Sequence, residues 1–483
     1  MSTTAEAWTP TSSGSSVSFL SSCSSNQGTR VNFDHLGNQF FASNACYGDV
    51  DPGPKVVSMR GGNAIIKLDQ SGNLVWKKTI GFGETVRITS MAVDPNGHSY
   101  IVGYFQQSSA YNFAVDFDPG VGTYMLPNFG RVDGFVLKLD PAGGFLWAIR
   151  LGGLGWDAIS TITRGESGSL YVIGQTDSGI DDLDPGINLF SVTTPIGDST
   201  SFVIKMNSDG LFQWVKALVG LGLLSQNSTQ PDSLLALDSN ENLFLTGSYW
   251  TSRYYNIDFD PGAGVVRPNH PSNFPDPQTD FFILKLSNTG TFLWVKLMGG
   301  LGNDHGNAIV SSRDESVLVA GYFAGVVDFD SGEEKFEVTA KSDLTPRRPT
   351  DGFVLKVDAN GNFLWVQTFG SYKDDAGFHL ATDSGSNAYV VGGFNVEVDL
   401  GFNSMPVRFL AISNPESRYS ASFILKLNSE GRYLWADSRN SWDAKSRIGQ
   451  GFSNVSVDSQ DNLRLFGIAT GRAIFRSQWS NQN

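Results

Sequence analysis

A hairpin that returns with one side-chain order constrains this chain more than any bulk property. It reads as a strand ending in lysine, a polar turn and a strand carrying tryptophan: AIIKLDQSGNLVW, FVLKLDPAGGFLW, FVIKMNSDGLFQW, FILKLSNTGTFLW, FVLKVDANGNFLW and FILKLNSEGRYLW. Their lysines, Lys67, Lys138, Lys205, Lys285, Lys356 and Lys426, are 71, 67, 80, 71 and 70 residues apart. A second hairpin, such as ITSMAVDPNGHSYIVGYF, occurs seven times between and around these copies. Short alternating runs separated by Gly, Asn and Asp are strand and turn signals. Two hairpins per unit and so long a period do not fit a helical solenoid, and they do fit four-stranded blades with insertions.

The expected fold is therefore all-β: a β-propeller of seven four-stranded blades, with six or eight blades as the alternatives. Residues 1–29 form a Ser/Thr-rich arm and 30–483 a single propeller domain. Six blades are complete, and the seventh lacks its last part because the chain stops at GRAIFRSQWSNQN. Trp8 matches the series Trp76, Trp147, Trp214, Trp294, Trp365 and Trp435, so an N-terminal strand is expected to complete the seventh blade and remove an open edge.

The order DGFVLKLDPAGGFLWAIRLGGLGWDAI, then LYVIG and VDFDPG, resembles the SBBP repeat proteins of bacteria from about residue 30 to 475. The resemblance implies a β-propeller, an extracellular or particle-surface setting, and no shared catalytic mechanism.

Charge narrows the partners. Thirty-four basic against 48 acidic residues give a net charge of −14, with no Lys/Arg cluster to track a phosphate backbone, which argues against nucleic acid. No stretch approaches the ~18 apolar residues of a membrane span. LSSC at Leu20–Cys23 resembles a lipoprotein cleavage box but has neither a basic region nor an apolar run before it, so no signal peptide or anchor is expected. Cys23 and Cys46 are the two cysteines, enough for one disulfide or two free thiols.

The stretch VDFDPG pairs Asp116 with Asp118. Near-copies pair Asp49 with Asp51, Asp182 with Asp184, Asp258 with Asp260, Asp328 with Asp330 and Glu397 with Asp399. Residues two apart in an extended segment face the same way, so the carboxylates point together while Phe117 turns inward. Two readings stand. A hard cation such as Ca²⁺ would take both carboxylates with carbonyls and water; alternatively, Pro119-Gly120 makes a type II turn. In the last copy, Ile474 and Arg476 align with the acids and Phe475 is kept.

The six strand tryptophans are expected to pack between blades, the lysines to pair with turn carboxylates or cover apolar surface with their stems, and Asp34, Asp94, Asp238, Asp383 and Asp458 to cap turns. Trp156, Trp250, Tyr254, Tyr255 and Trp442 stand outside the register and are the candidate partner-binding aromatics. The five histidines fall at different points of the repeat, and no metal-ligand spacing, nucleophile elbow or P-loop is present. The function expected is a non-enzymatic propeller that presents its insertions at 105–132, 177–200, 250–280, 324–350 and 395–421 to a macromolecule, as a surface adhesion or assembly component, with or without calcium. The alternatives are a glycan-binding or glycan-cleaving propeller and a component of a virion or surface layer.

Overall fold

The computed structural model describes residues 16–21 and 32–477, apart from 45–46, 52–54, 82–84, 107–113, 178–190, 193–199, 222–233, 252–256, 269–277, 333, 342–348, 401–406, 411–420, 441–450, 459 and 470–471. Among the described residues there is no α-helix, and seven antiparallel sheets have four strands each. The second sheet shows the pattern: Val86–Val93, Ser99–Phe105, Asp133–Leu139 and Phe145–Leu151 lie side by side in chain order. The first, third, fourth, fifth and sixth sheets repeat it over 32–80, 157–219, 235–298, 305–369 and 375–440.

The seventh sheet is built from both ends of the chain. Gly451–Val457, Leu463–Ala469 and Arg472–Ser477 are joined by Ser16–Ser21, which runs antiparallel to the last of them from Ser16↔Ser477 to Ser21↔Arg472. The pairing segment thus lies inside the Ser-rich arm, while Trp8 falls outside the described residues, as do Cys23 and Cys46. Ile474 and Arg476, aligned by sequence with the acidic pair, are in the third strand of this sheet, which follows its second strand without a long insertion.

Burial explains the strand compositions. Third strands such as Asn63–Leu68, Asp133–Leu139 and Asp351–Val357 are buried along their whole length, because both faces are covered by neighbouring sheets. That favours continuous apolar runs over strict alternation. The fourth strands are only partly covered: Phe145–Leu151 alternates between half-buried, exposed and buried positions.

Each third-to-fourth-strand turn is closed by a capping side chain and a residue of positive φ. Asp140 Oδ1 accepts the N–H groups of Ala142 and Gly144 at 2.8 and 2.7 Å, and Gly143 has φ 77°. The hairpin register shifts just after the lysine, between Lys138 and Leu139, the bulge that accompanies a three-residue loop with a left-handed last residue. The same shift follows Lys67, Lys205, Lys285, Lys356 and Lys426.

The apolar core is divided among the spaces between successive sheets. One cluster joins Phe40, Ile65 and Ile80 of the first sheet to Ile101, Phe105 and Phe135 of the second. Into it goes Phe117 from the insertion, fully buried and 4.8 Å from the Phe135 ring. Phe259 and Phe329 fill the third-to-fourth and fourth-to-fifth spaces in the same way, and Val398 the fifth-to-sixth. These four side chains anchor their insertions as wedges between sheets, while other described residues of the same insertions, such as Val121 and Phe129, stay exposed. At the two ends of the series, Arg464 of the seventh sheet lies over the Phe33 ring of the first at 5.7 Å.

Candidate functional site

In four sheets the repeated lysine and tryptophan converge on one atom of the following sheet, whereas in the second Lys138 alone bonds Ser208 O and Trp147 Nε1 is buried without a partner. Lys67 Nζ and Trp76 Nε1 both donate to Pro141 O, at 3.3 and 3.0 Å. Lys285 and Trp294 share Ala359 O at 3.0 and 3.3 Å, and Lys356 and Trp365 share Ser429 O at 3.0 and 3.2 Å. Lys205 and Trp214 do the same at Asn288 O, both at 3.2 Å. The acceptor is always in the third-to-fourth-strand turn. The tryptophan ring also lies against the left-handed glycine of that turn: a Cβ at Gly431 would come within 2.7 Å of Trp365, so backbone angle and lack of space both demand glycine.

The lysine ammonium is held from below as well. It sits 4.8 Å from the Phe40 ring centroid at Lys67, 4.6 Å from Phe244 at Lys285 and 4.6 Å from Tyr389 at Lys426. Asp34, Asp238 and Asp383, the residues that cap the first-to-second-strand turns, pair with these lysines at 3.6, 3.4 and 3.2 Å. In the third sheet Gly165 stands where five of the other sheets have Asp and the fifth has Ser312, and Glu241 of the fourth sheet reaches across instead. Its carboxylate accepts the N–H and hydroxyl of Ser167 at 2.6 and 2.9 Å and the Tyr171 hydroxyl at 3.0 Å. Glu241 does this from φ 58°, a conformation that sequence reasoning does not expect of glutamate.

The VDFDPG acids close their own loops. Asp116 Oδ1 accepts the N–H groups of Asp118 and Tyr124 at 3.0 and 2.8 Å, and Asp118 Oδ1 accepts that of Gly120 at 2.7 Å. Asp258 and Asp260 repeat all three bonds. So do Asp328 and Asp330: Asp328 Oδ1 accepts the N–H groups of Asp330 and Phe336 at 3.2 and 2.8 Å, and Asp330 Oδ1 accepts that of Gly332 at 2.9 Å. In the first sheet Asp49 Oδ1 accepts the N–H groups of Asp51 and Val57 at 3.1 and 2.8 Å, so Asp51 enters this clasp as a backbone donor.

These are acids at which a cation is expected from the sequence, Asp49, Asp51, Asp116, Asp118, Asp258, Asp260, Asp328 and Asp330. Among the described residues no group of three or more His, Cys, Asp or Glu is placed to hold a metal. The loop returns its backbone N–H groups to the carboxylate, and a cation there would need further oxygens beside it. Asp182 and Asp184 lie outside the described residues. Gly120 has no positive φ, so the expected type II turn is replaced by a side-chain-closed one. Glycine is needed nearby for close approach: a Cβ at Gly122 would lie 2.1 Å from Asp118 Oδ2.

Sequence reasoning missed a second set of carboxyls. Asp133 and Asp157, Asp280 and Asp304, and Asp351 and Asp375 lie at, or one residue from, the start of the third strand of one sheet and the first of the next. Between each pair runs the chain crossing at 152–153, 299–300 or 370–371. Asp133, Asp157, Asp304 and Asp375 are fully buried. The N–H of Gly153, Gly300 and Ser371 donates to the second carboxyl at 2.8, 3.0 and 2.7 Å. A Cβ at Gly152 would lie 2.5 Å from Asp133 Oδ1 and 3.1 Å from Asp157 Oδ2, which puts the two carboxyls on either side of one narrow gap. Burial pushes Asp157 up to about 6 and Asp280 up to about 7, and holds Asp304 and Asp375 well above the usual carboxylate range. The legible signal was the fixed spacing of Asp, Gly and Asp at 133/152/157, 280/299/304 and 351/370/375.

Of the candidate aromatics, Trp156 is half-buried at the second-to-third junction, its ring 6.1 Å from Tyr104 and its backbone N–H donated to Asp177 at 2.7 Å. Trp250, 44% exposed, ends the strand Leu243–Trp250. Tyr254, Tyr255 and Trp442 lie outside the described residues. The most exposed apolar group among the described residues of an insertion is elsewhere, at Val121, Tyr124, Met125 and Phe129.

These blade-like sheets can be set beside known proteins. No family model matches the chain. An uncharacterized WD repeat-containing protein, L264, of Acanthamoeba polyphaga mimivirus is 23% identical over 456 residues, covering 82% of this chain and 31% of that protein. The chain is an all-β repeat protein of blade-like, four-stranded sheets. The regulatory protein FlaEY of Caulobacter vibrioides is 25% identical over 147 residues, 30% of this chain and 14% of that protein. The chain thus spans less than a third of the length of the curated relatives it matches. Among solved structures, a glucose dehydrogenase is similar at TM-score 0.32 and 8% identity over 74% of this chain and 95% of its own. A puromycin hydrolase is similar at TM-score 0.40 and 10% identity over 92% and 51%. Scores this low carry no inference about activity.

Proposed function

We propose that the protein is a non-enzymatic, seven-bladed propeller, closed by Ser16–Ser21, that binds a protein partner at the rim carrying its long insertions, as a surface adhesion or assembly component. Closure is supported by the pairing of Ser16–Ser21 with Arg472–Ser477 and by Arg464 over Phe33. The observation that carries the binding role is how the repeated polar groups are used. The lysines, tryptophans and VDFDPG acids bind turns, rings and loops of the propeller itself, whereas Val121, Tyr124, Met125 and Phe129 are 109%, 41%, 47% and 61% exposed on one insertion. Exposed aromatic and methionine side chains on a rigid support are the chemistry of a protein-binding patch.

The test is partner capture by the full chain and by a variant with these four residues changed to serine. Capture of a protein by the full chain, lost in the variant at an unchanged melting temperature, is the expected outcome. Binding on a glycan array that survives the four changes would move the reading to a lectin, and turnover of a glycan abolished by one acidic substitution would make the protein an enzyme.

In this reading the VDFDPG pairs are loop clasps. A calorimetric calcium titration of chelator-treated protein should give no saturable heat, and Asp116→Ala should lower stability by about 1–3 kcal/mol through two unsatisfied N–H groups. Saturable binding that disappears when Asp116, Asp118, Asp258 and Asp260 become Asn would instead make these pairs a cation site.

A further inference from the structure

The contacts between the seventh sheet and the first differ from those at the other joints. In the second sheet Lys138 stands opposite Tyr100 of the second strand and Trp147 of the fourth. In the same register Lys67 stands between Phe40 and Trp76, Lys285 between Phe244 and Trp294, and Lys426 between Tyr389 and Trp435. In the seventh sheet Gly467 aligns with Gly103, so Arg464 occupies the place of Tyr100. Opposite Arg464 is Ser477, and opposite Ser477 is Ser16. Serine therefore stands in the lysine place and in the tryptophan place, the latter being the one expected for Trp8.

Serine has neither the stem nor the ring with which lysine and tryptophan reach the next turn. That turn is nonetheless built in the first sheet: Asp69 Oδ1 accepts the N–H groups of Ser71 and Asn73 at 2.9 and 2.8 Å, and Gly72 has φ 84°. The Gln70 carbonyl, in the place of Pro141 O, receives no side-chain donor among the described residues. Arg464 crosses to the Phe33 ring, but its bonded partner, Asp458 at 3.4 Å, belongs to its own sheet. The sixth-to-seventh joint is tied more firmly, by the N–H groups of Ser384 and Phe452, which donate to Asp461 and Ser422 at 2.8 and 2.6 Å.

We infer that the joint between the seventh and first sheets is a built-in opening point, where Ser16–Ser21 leaves Arg472–Ser477 and the two sheets part while the other joints stay packed. The inference rests on the closure by Ser16–Ser21 proposed above. Two side-chain hydrogen bonds fewer make this opening about tenfold or more easier than at a latched joint. Parting there leaves the edge of Arg472–Ser477 unpaired and accessible to another strand.

The experiment is native-state hydrogen exchange of the full chain, read by mass spectrometry on peptides covering each strand. Residues 16–21 should exchange about tenfold or more faster than the matching strands 145–151 and 292–298, and 472–477 faster than 133–139 and 351–357, yet all more slowly than an unstructured peptide. Ser16→Trp with Ser477→Lys supplies the missing latch and should bring these rates toward those of the other sheets. Trp76→Phe takes one bond from Pro141 O and should speed exchange of 74–80 by about fivefold, a reading that stands even where the first variant fails to fold. Seventh-sheet exchange at the pace of the other sheets, or rates that a folded variant fails to move, overturns the inference and leaves the closure standing. Exchange of 16–21 at the rate of an unstructured peptide would overturn the closure and this inference with it.

Discussion

Replacing Phe259 by alanine should destabilise the protein by about 3–5 kcal/mol, among the largest effects of any single apolar truncation in it. The side chain is fully buried and meets Tyr249 edge-on at 5.5 Å and Phe282 at 5.3 Å. Its cluster includes Tyr171, Val203 and Leu218 of the third sheet and Leu245 and Leu284 of the fourth. Two rigid sheets cannot collapse onto a missing ring as a single loop could, so most of the cavity would remain. The Asp258 N–H donates to Val219 O at 3.3 Å, tying the wedge to the end of the preceding sheet as well. Chemical unfolding of Phe259→Ala, with Phe259→Leu beside it, measures this. A loss below about 1 kcal/mol would mean the insertion lies on the sheets without separating them.

The second large effect is expected at Lys285. Its side chain and that of Asp238 are each only 9% exposed and lie 3.4 Å apart. Lys285→Met keeps the stem against Phe244 but leaves Asp238 as a buried charge and removes a donor from Ala359 O, at a cost of about 3–5 kcal/mol. Asp238→Asn in the same chain removes the stranded charge while its side-chain oxygen still accepts the N–H groups of Asn240 and Asn242, which Asp238 takes at 3.0 and 2.8 Å. The double variant should therefore recover a large part of the loss, with a coupling of about 1–3 kcal/mol in a double-mutant cycle. Additive losses would show that lysine acts through its bond to the next turn and not through Asp238.

Part of this architecture is plain in the residues. Lys67 and Trp76 recur with a fixed turn between them, and the turn chemistry of Asp69 and Gly72 acts over a few residues, so hairpin, bulge and period can be read directly. Phe117 facing away from Asp116 and Asp118 follows from strand geometry alone. The carboxylates are harder to read. Asp116 and Asp118 suggest a cation because their spacing is visible, while the two N–H donors that occupy Asp116 depend on how the loop returns to Tyr124. The same holds for Asp328 and Asp330, where the return to Phe336 supplies the second donor, and for Asp49 and Asp51, where Val57 does. Asp280 and Asp304 suggest nothing, because an aspartate reads as a surface or turn residue until its burial is known. Trp156, singled out as a binding aromatic, is held at a junction by Tyr104 and Asp177.

By itself the sequence determined the strand order within each repeat, the number of hairpins and the inward Phe, since these rest on backbone preferences and side-chain alternation within about ten residues. Tertiary structure alone decided the partners that join one sheet to the next. The turn carbonyl that receives Trp76 is 65 residues away and the one that receives Lys205 is 83 away. It also decided which segment of the arm completes the seventh sheet, since the N-terminal strand expected there on Trp8 is Ser16–Ser21. Such contacts follow from how whole sheets pack and from the need to satisfy buried carbonyls and charges, which no local stretch of residues encodes.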